Sequence, residues 1–155
     1  MSSGGCSQPG LVGGTTDVAL AWLPADLVTA RAGDDAVSGG QGDDHIYLGD
    51  GVDYGNVDHG RDRLYGQAGD DTLERWTGSD YLEGDTGNDG YDYLVGDKGN
   101  DRLNGGAGYD WAQPGVHDGR IDWVEGVEDL VNGCLENVAM AQPLVPSKVR
   151  DDHPW

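Results

Sequence analysis

The sequence predicts an all-β fold: a parallel β-roll, a β-helix-like solenoid with two nonapeptide units per 18-residue coil and short capping ends. Three observations predict it. Aspartates recur at steps of nine, and Asp17, Asp26, Asp35, Asp44, Asp53, Asp62, Asp71, Asp80 and Asp89 form an unbroken series. The phase slips by three residues at "GYD" (90–92), resumes at Asp101 and Asp110, and would reach Asp122 after a second slip of three. Two residues before most of these aspartates stands a glycine: Gly33, Gly42, Gly51, Gly60, Gly69, Gly78, Gly87, Gly99 and Gly108. Two residues after them stands an apolar residue in most copies: Val37, Ile46, Leu64, Leu73, Leu82 and Leu103.

The unit reads G-G-x-G-(N/D)-D-x-U-x, with U large and apolar. Its six Gly-rich residues suit a tight turn, because glycine accepts positive φ and close backbone approach. The remaining x-U-x is too short for a helix and suits a brief strand whose middle side chain points inward. Strand, turn, strand, turn then make one coil. Stacked coils make two parallel sheets around a thin core, advancing about 4.8 Å per coil. With one apolar residue per unit, burial alone is not expected to offset chain entropy.

Residues 30–113 carry the repeat well. Residues 1–29 are expected to be a tail and a degenerate rung that caps the roll, since 12–29 keep the aspartate phase and lose the glycines. Residues 114–141 are richer in apolar side chains and are expected to close the far end. Residues 142–155, "QPLVPSKVRDDHPW", read as an extended tail.

Charge adds a requirement. The 155 residues hold 28 glycines, no Phe, and 29 acids against 9 bases, for a net charge of −20. That balance argues against nucleic acid and anionic membranes as partners. It also opposes compaction, so a cation is the missing component. An acidic, Gly-rich chain could be disordered on composition alone, but the regular order of the residues argues against that. Units 18 residues apart fall on the same edge of the roll, so one stack holds Asp35, Asp53, Asp71, Asp89 and Asp110 and the other Asp44, Asp62, Asp80 and Asp101. Bare carboxylates so stacked repel. A hard divalent cation between successive turns removes the repulsion, and carboxylate and carbonyl oxygens are the ligands Ca²⁺ takes; Mg²⁺ demands stricter geometry. Aspartates that served only to initiate turns would not need a fixed phase over so many copies.

The repeat resembles the RTX, or haemolysin-type calcium-binding, β-roll family, well over 30–113 and loosely over 12–29. The resemblance implies that each site takes the motif aspartate of two stacked turns, with carbonyls near the first four motif positions: Gly40, Gly42, Gly49, Gly51, Gly69, Gly87, Gly99, Gly106 and Gly108. Same-edge pairs then predict roughly four to seven Ca²⁺ ions. Family members carry such rolls in secreted toxins, proteases, lipases and adhesins, where the module resembles a calcium-triggered folding switch.

Some copies depart from the motif. Position five is Val52, Arg61, Ser79 and Tyr109 instead of Asn or Asp, and Asp58 and Trp76 replace the second glycine. Position eight is Gly55 and Ala112, where the core is expected to thin. Sites over 48–65 are therefore the weakest, with Arg61 standing in part for a cation. The best turns are 39–44, 66–71, 84–89 and 96–101.

No enzymatic site is expected. His45, His59, His117 and His153 are scattered without HExxH spacing, and neither a GxSxG elbow nor a P-loop occurs. Trp22, Trp76, Trp111, Trp123 and Trp155 suit core caps or partner contacts more than a sugar platform. Cys6 and Cys134 fit no zinc pattern, and a disulfide between them would need both tails to fold back. The N-terminus has no signal-peptide pattern, and "VALAWL" (18–23) is too short to span a membrane. The expected function is a calcium-loaded roll with structural or binding work, in an extracellular setting or on an assembly exposed to high calcium. The alternatives are a subunit of a larger assembly, such as a virion or surface-layer decoration protein, and an extracellular glycan-binding module. The cap and tail are the regions open to protein partners.

Overall fold

The structure, a computed structural model, describes residues 10–11, 16, 18–21, 24–85, 90–113, 115, 122–127, 129–130 and 138–140. Strands fall alternately into two sheets. One sheet runs in the order β1 (Gly10–Leu11), β3 (Leu27–Ala32), β5 (His45–Asp50), β7 (Arg63–Ala68), β9 (Tyr81–Asp85), β12 (Arg102–Asn104), β14 (Asp122–Glu125) and β16 (Val138–Met140). The other runs β2 (Val18–Leu20), β4 (Ala36–Ser38), β6 (Tyr54–Gly60), β8 (Thr72–Gly78), β10 (Tyr93–Val95), β13 (Trp111–Gln113) and β15 (Asp129–Leu130), with β11 (Lys98–Gly99) pairing a second stretch of β8. All these pairings are parallel. This is the parallel β-solenoid that the nine-residue period predicts. No helix among the described residues is long and apolar enough to cross a membrane.

Register shows why the period folds this way. Val28, Ile46, Leu64, Leu82, Leu103 and Val124 stack in one sheet. Ala19, Val37, Gly55, Leu73, Leu94 and Ala112 stack in the other. The motif's apolar position therefore faces the interior once per unit. The slip at 90–92 appears as a three-residue lengthening of the coils that cross it, Leu73↔Leu94 and Leu82↔Leu103. The second slip appears at Leu103↔Val124.

The core is thicker than one residue per unit. Ala30, Leu48 and Val57, at motif position one, are also wholly buried. They correct the expectation that the core thins at Gly55. A methyl built on Gly55 would meet Leu64 Cδ1 at 2.9 Å and Leu48 Cδ1 at 3.1 Å. Leu48 thus fills from position one the space its own unit leaves empty at position eight.

The fourth position is glycine for a steric reason. Gly69 has φ +135, and a Cβ there would collide with the Gly51 carbonyl one coil above. A backbone that stacks this closely leaves no room for a side chain.

Candidate metal centres

Each motif aspartate ends its turn and starts the next strand, so its main chain lies in the sheet ladder. The Asp44 carbonyl, for example, accepts from the Arg63 N–H at 2.8 Å, and the Asp53 carbonyl from the Thr72 N–H at 2.9 Å. With both flanks fixed, the side chain turns into the roll. Asp35, Asp44, Asp53, Asp62, Asp71, Asp80, Asp92, Asp101 and Asp110 are all buried.

There they form two continuous ladders. On one edge the backbone N–H of each aspartate donates to Oδ1 of the aspartate one coil on: Asp35 to Asp53 at 2.7 Å, Asp53 to Asp71, Asp71 to Asp92 and Asp92 to Asp110, each at 2.9 Å. On the other edge Asp26 donates to Asp44 at 2.7 Å, Asp44 to Asp62 at 2.8 Å, Asp62 to Asp80 at 2.6 Å and Asp80 to Asp101 at 3.3 Å. An outer ladder at position five runs in the opposite direction. The N–H groups of Val52, Arg61 and Tyr91 donate back to Oδ1 of Asp34, Asp43 and Asp70 in the preceding coil, at 3.1, 3.0 and 3.1 Å. A unit lacking Asn or Asp at position five still supplies the donor, which is why Val52 and Arg61 are tolerated.

The ladder occupies only one oxygen of each inner carboxylate. The Oδ2 atoms of Asp44, Asp53 and Asp62 are buried with no hydrogen-bond partner. An ionised oxygen so placed is costly. Burial accordingly pushes the Asp44 and Asp53 carboxyls above their ordinary range. Burial, reinforced by the neighbouring Asp80 and Asp44 carboxylates against the Asp44 N–H bond, pushes Asp62 up to about 7.

Position one determines what surrounds Oδ2. A Cβ built on Gly39, Gly66, Gly84 or Gly105 would press on Oδ2 of Asp44, Asp71, Asp92 or Asp110 respectively. In one turn a cation stands there instead. Arg75, also at position one, is wholly buried; its Nη1 lies 2.5 Å from Asp80 Oδ2, and its Nη2 contacts Asp101 Oδ2. Here a guanidinium joins the Oδ2 atoms of two stacked aspartates, so this step accommodates a cation. Among the described residues no three His, Cys, Asp or Glu side chains gather as a cage. Two carboxylates would therefore need main-chain carbonyls to complete the shell, a donor set suited to Ca²⁺.

The structure brings together most of the residues that the sequence nominates. Gly40, Gly49 and Gly106 lie at position two and Gly42, Gly51, Gly69, Gly99 and Gly108 at position four, all with positive φ. Gly87 and Asp89 lie outside the described residues, as do Asp17, Cys6, Cys134, residues 142–155 and most of 114–141. Sequence reasoning missed two residues. The ladder passes through Asp92 in the step that phase counting gives to Asp89. The D-x-U spacing would have found it, because Asp92 precedes the buried Leu94 by two, whereas Tyr91, two after Asp89, is exposed. Arg75 was the second, while Arg61, expected as the cation substitute, is exposed.

The model of the RTX calcium-binding nonapeptide repeat (4 copies) matches residues 25–54, 59–82 and 77–112, more than half of the chain. Neither the curated proteins nor the solved structures gave a match.

Proposed function

The chain belongs to the RTX calcium-binding nonapeptide repeat family, and from that premise we propose that it is a non-enzymatic structural or binding module whose roll is set by calcium held between stacked turns. The metal residues are Asp35, Asp44, Asp53, Asp62, Asp71, Asp80 and Asp110, with Asp92 in the described ladder and Asp89 by its phase in the sequence; Asp101 faces the Arg75 guanidinium. The glycine-turn carbonyls complete the shells. The observation that carries this reading is the row of buried Oδ2 atoms on Asp44, Asp53 and Asp62, which have no hydrogen-bond partner.

When bound, Ca²⁺ supplies positive charge and flexible oxygen coordination between coils. The chain does the rest. Its N–H ladder aims one carboxylate oxygen along the stack and, on Asp44, Asp53 and Asp62, leaves the other for the ion. Its glycines at positions two and four bend the main chain so that coils approach closely. Its apolar column shields the carboxylates from water, which makes bare charge there unfavourable and a bound cation correspondingly favourable. A module that orders on meeting calcium suits the calcium-rich extracellular setting.

Metal analysis of the purified, calcium-equilibrated protein tests the reading. Roughly four to seven ions per chain are expected. One ion or none would contradict it.

A further inference from the structure

We propose that Arg75 is a built-in cation that takes the place of one metal ion, so that the Asp80–Asp101 step is filled by the protein itself and stays assembled when calcium is absent. The inference rests on the calcium reading for the other steps but not for this one.

The geometry is specific to this turn. Val57 and Arg75 pair in register between β6 and β8, and both sit at motif position one. Val57 presents hydrocarbon there. Arg75 presents a planar fork of donors that remains charged when buried. Its two terminal nitrogens divide between two coils, one to Asp80 of its own turn and one to Asp101 of the next. A guanidinium that bridges coils in this way has the connectivity of a shared ion. The N–H link across this step, Asp80 to Asp101 at 3.3 Å, is also the longest in either ladder.

Two consequences follow. The step cannot accept Ca²⁺ while the guanidinium fills it, so the chain binds one ion fewer than its intact carboxylate pairs suggest. The coils on either side, held by β8 and β12, form a segment whose order does not await metal. That segment lies in the middle of the repeat and gives calcium-driven folding a place to start.

The test uses the full chain and Arg75→Gly, which restores the residue that position one carries at Gly39 and Gly66. Ions per chain are counted by native mass spectrometry in excess calcium, and amide hydrogen exchange is followed in EDTA. The expected result is one more calcium per chain in the variant. In EDTA, the wild-type Arg102 amide, bonded to the Asp80 carbonyl at 2.9 Å, should exchange at least tenfold more slowly than the Thr72 amide bonded to Asp53. Arg75→Gly should abolish that difference. An unchanged ion count in a folded variant overturns the inference, and so does a variant that stays unfolded in calcium. Equal exchange of the two wild-type amides in EDTA also overturns it, and that readout holds whether or not the other steps bind calcium. A wild-type chain that binds no calcium but still shows the protected segment overturns only the calcium reading.

Discussion

The two edges of the roll carry the same aspartate ladder in different surroundings. On the edge of Asp35, Asp53, Asp71, Asp92 and Asp110, position one is Ala30 and Leu48 at first and glycine from Gly66 onward. On the edge of Asp44, Asp62, Asp80 and Asp101 it runs Gly39, Val57, Arg75, Gly96. Hydrogen bonding along both edges is of one kind, so the ladder alone does not decide where a metal goes. At Arg75 the position-one side chain meets the second carboxylate oxygen directly, whereas at Gly39 and Gly66 a Cβ would press on that oxygen. A repeated motif residue is therefore a necessary part of each site and not a sufficient one.

The sharpest way to break that comparison is to remove one aspartate from each edge. Asp71→Ala deletes a carboxylate shared by two steps beside Gly66 and leaves the Asp53 N–H unsatisfied. The combined loss in calcium-loaded stability should be about 3–6 kcal/mol, from one buried donor and two weakened sites. Asp62→Ala, beside Val57 and among degenerate turns, also orphans a donor, that of Asp44, and weakens poorer sites, so it should cost less, about 2–4 kcal/mol. Denaturant melts in calcium compare the two, and equal losses would mean that position one does not matter.

Next comes the turn backbone. Gly69→Ala places a methyl against the Gly51 carbonyl at φ +135, and should cost about 3 kcal/mol or more in saturating calcium. An unchanged number of bound ions distinguishes this scaffold effect from the loss of a ligand.

A smaller effect follows from Asp62. Its folded value, about 7, lies above the ordinary 3.8, so the folded state holds the proton more tightly. The stability this contributes is full below about 3.8 and disappears as pH rises through about 7. The residual β signal of calcium-free protein should be larger at pH 6 than at pH 8, and Asp62→Asn should flatten the difference. Loaded protein should show the reverse trend, since protons compete with the ion.

The smallest effect is at position two. Gln67 holds φ +84 where Gly40 holds +81 in its own unit. Gln67→Gly should gain about 1 kcal/mol by releasing left-handed strain, measured by thermal unfolding. No gain would show that the Gln67 side chain offsets its backbone cost.

The fold was legible because a nine-residue period has one consequence: Ile46 must lie over Leu64 and Asp44 over Asp62. Register in a parallel stack follows from the period alone. Position one was harder to read. Leu48, Val57 and Arg75 look like lapses from glycine in a single unit, and only the closed coil shows that they point inward and fill space. Asp89 drew attention by keeping the phase, although the constraint that matters is local. Asp92 stands two residues before an inward apolar residue, and that spacing survives an insertion while a count of nines does not.

The most direct measurement is circular dichroism of the full chain through a calcium titration from EDTA. Buried carboxylates with open oxygens oppose folding when bare, and each filled independent site adds about 2.7 kcal/mol at a hundredfold excess over its dissociation constant. The β signal should fall sharply in EDTA, leaving at most the Arg75 segment, and return cooperatively in millimolar calcium but little in magnesium. A chelated protein that kept its whole β signal and its melting temperature would contradict the account, because the ladders would then stand without the ions.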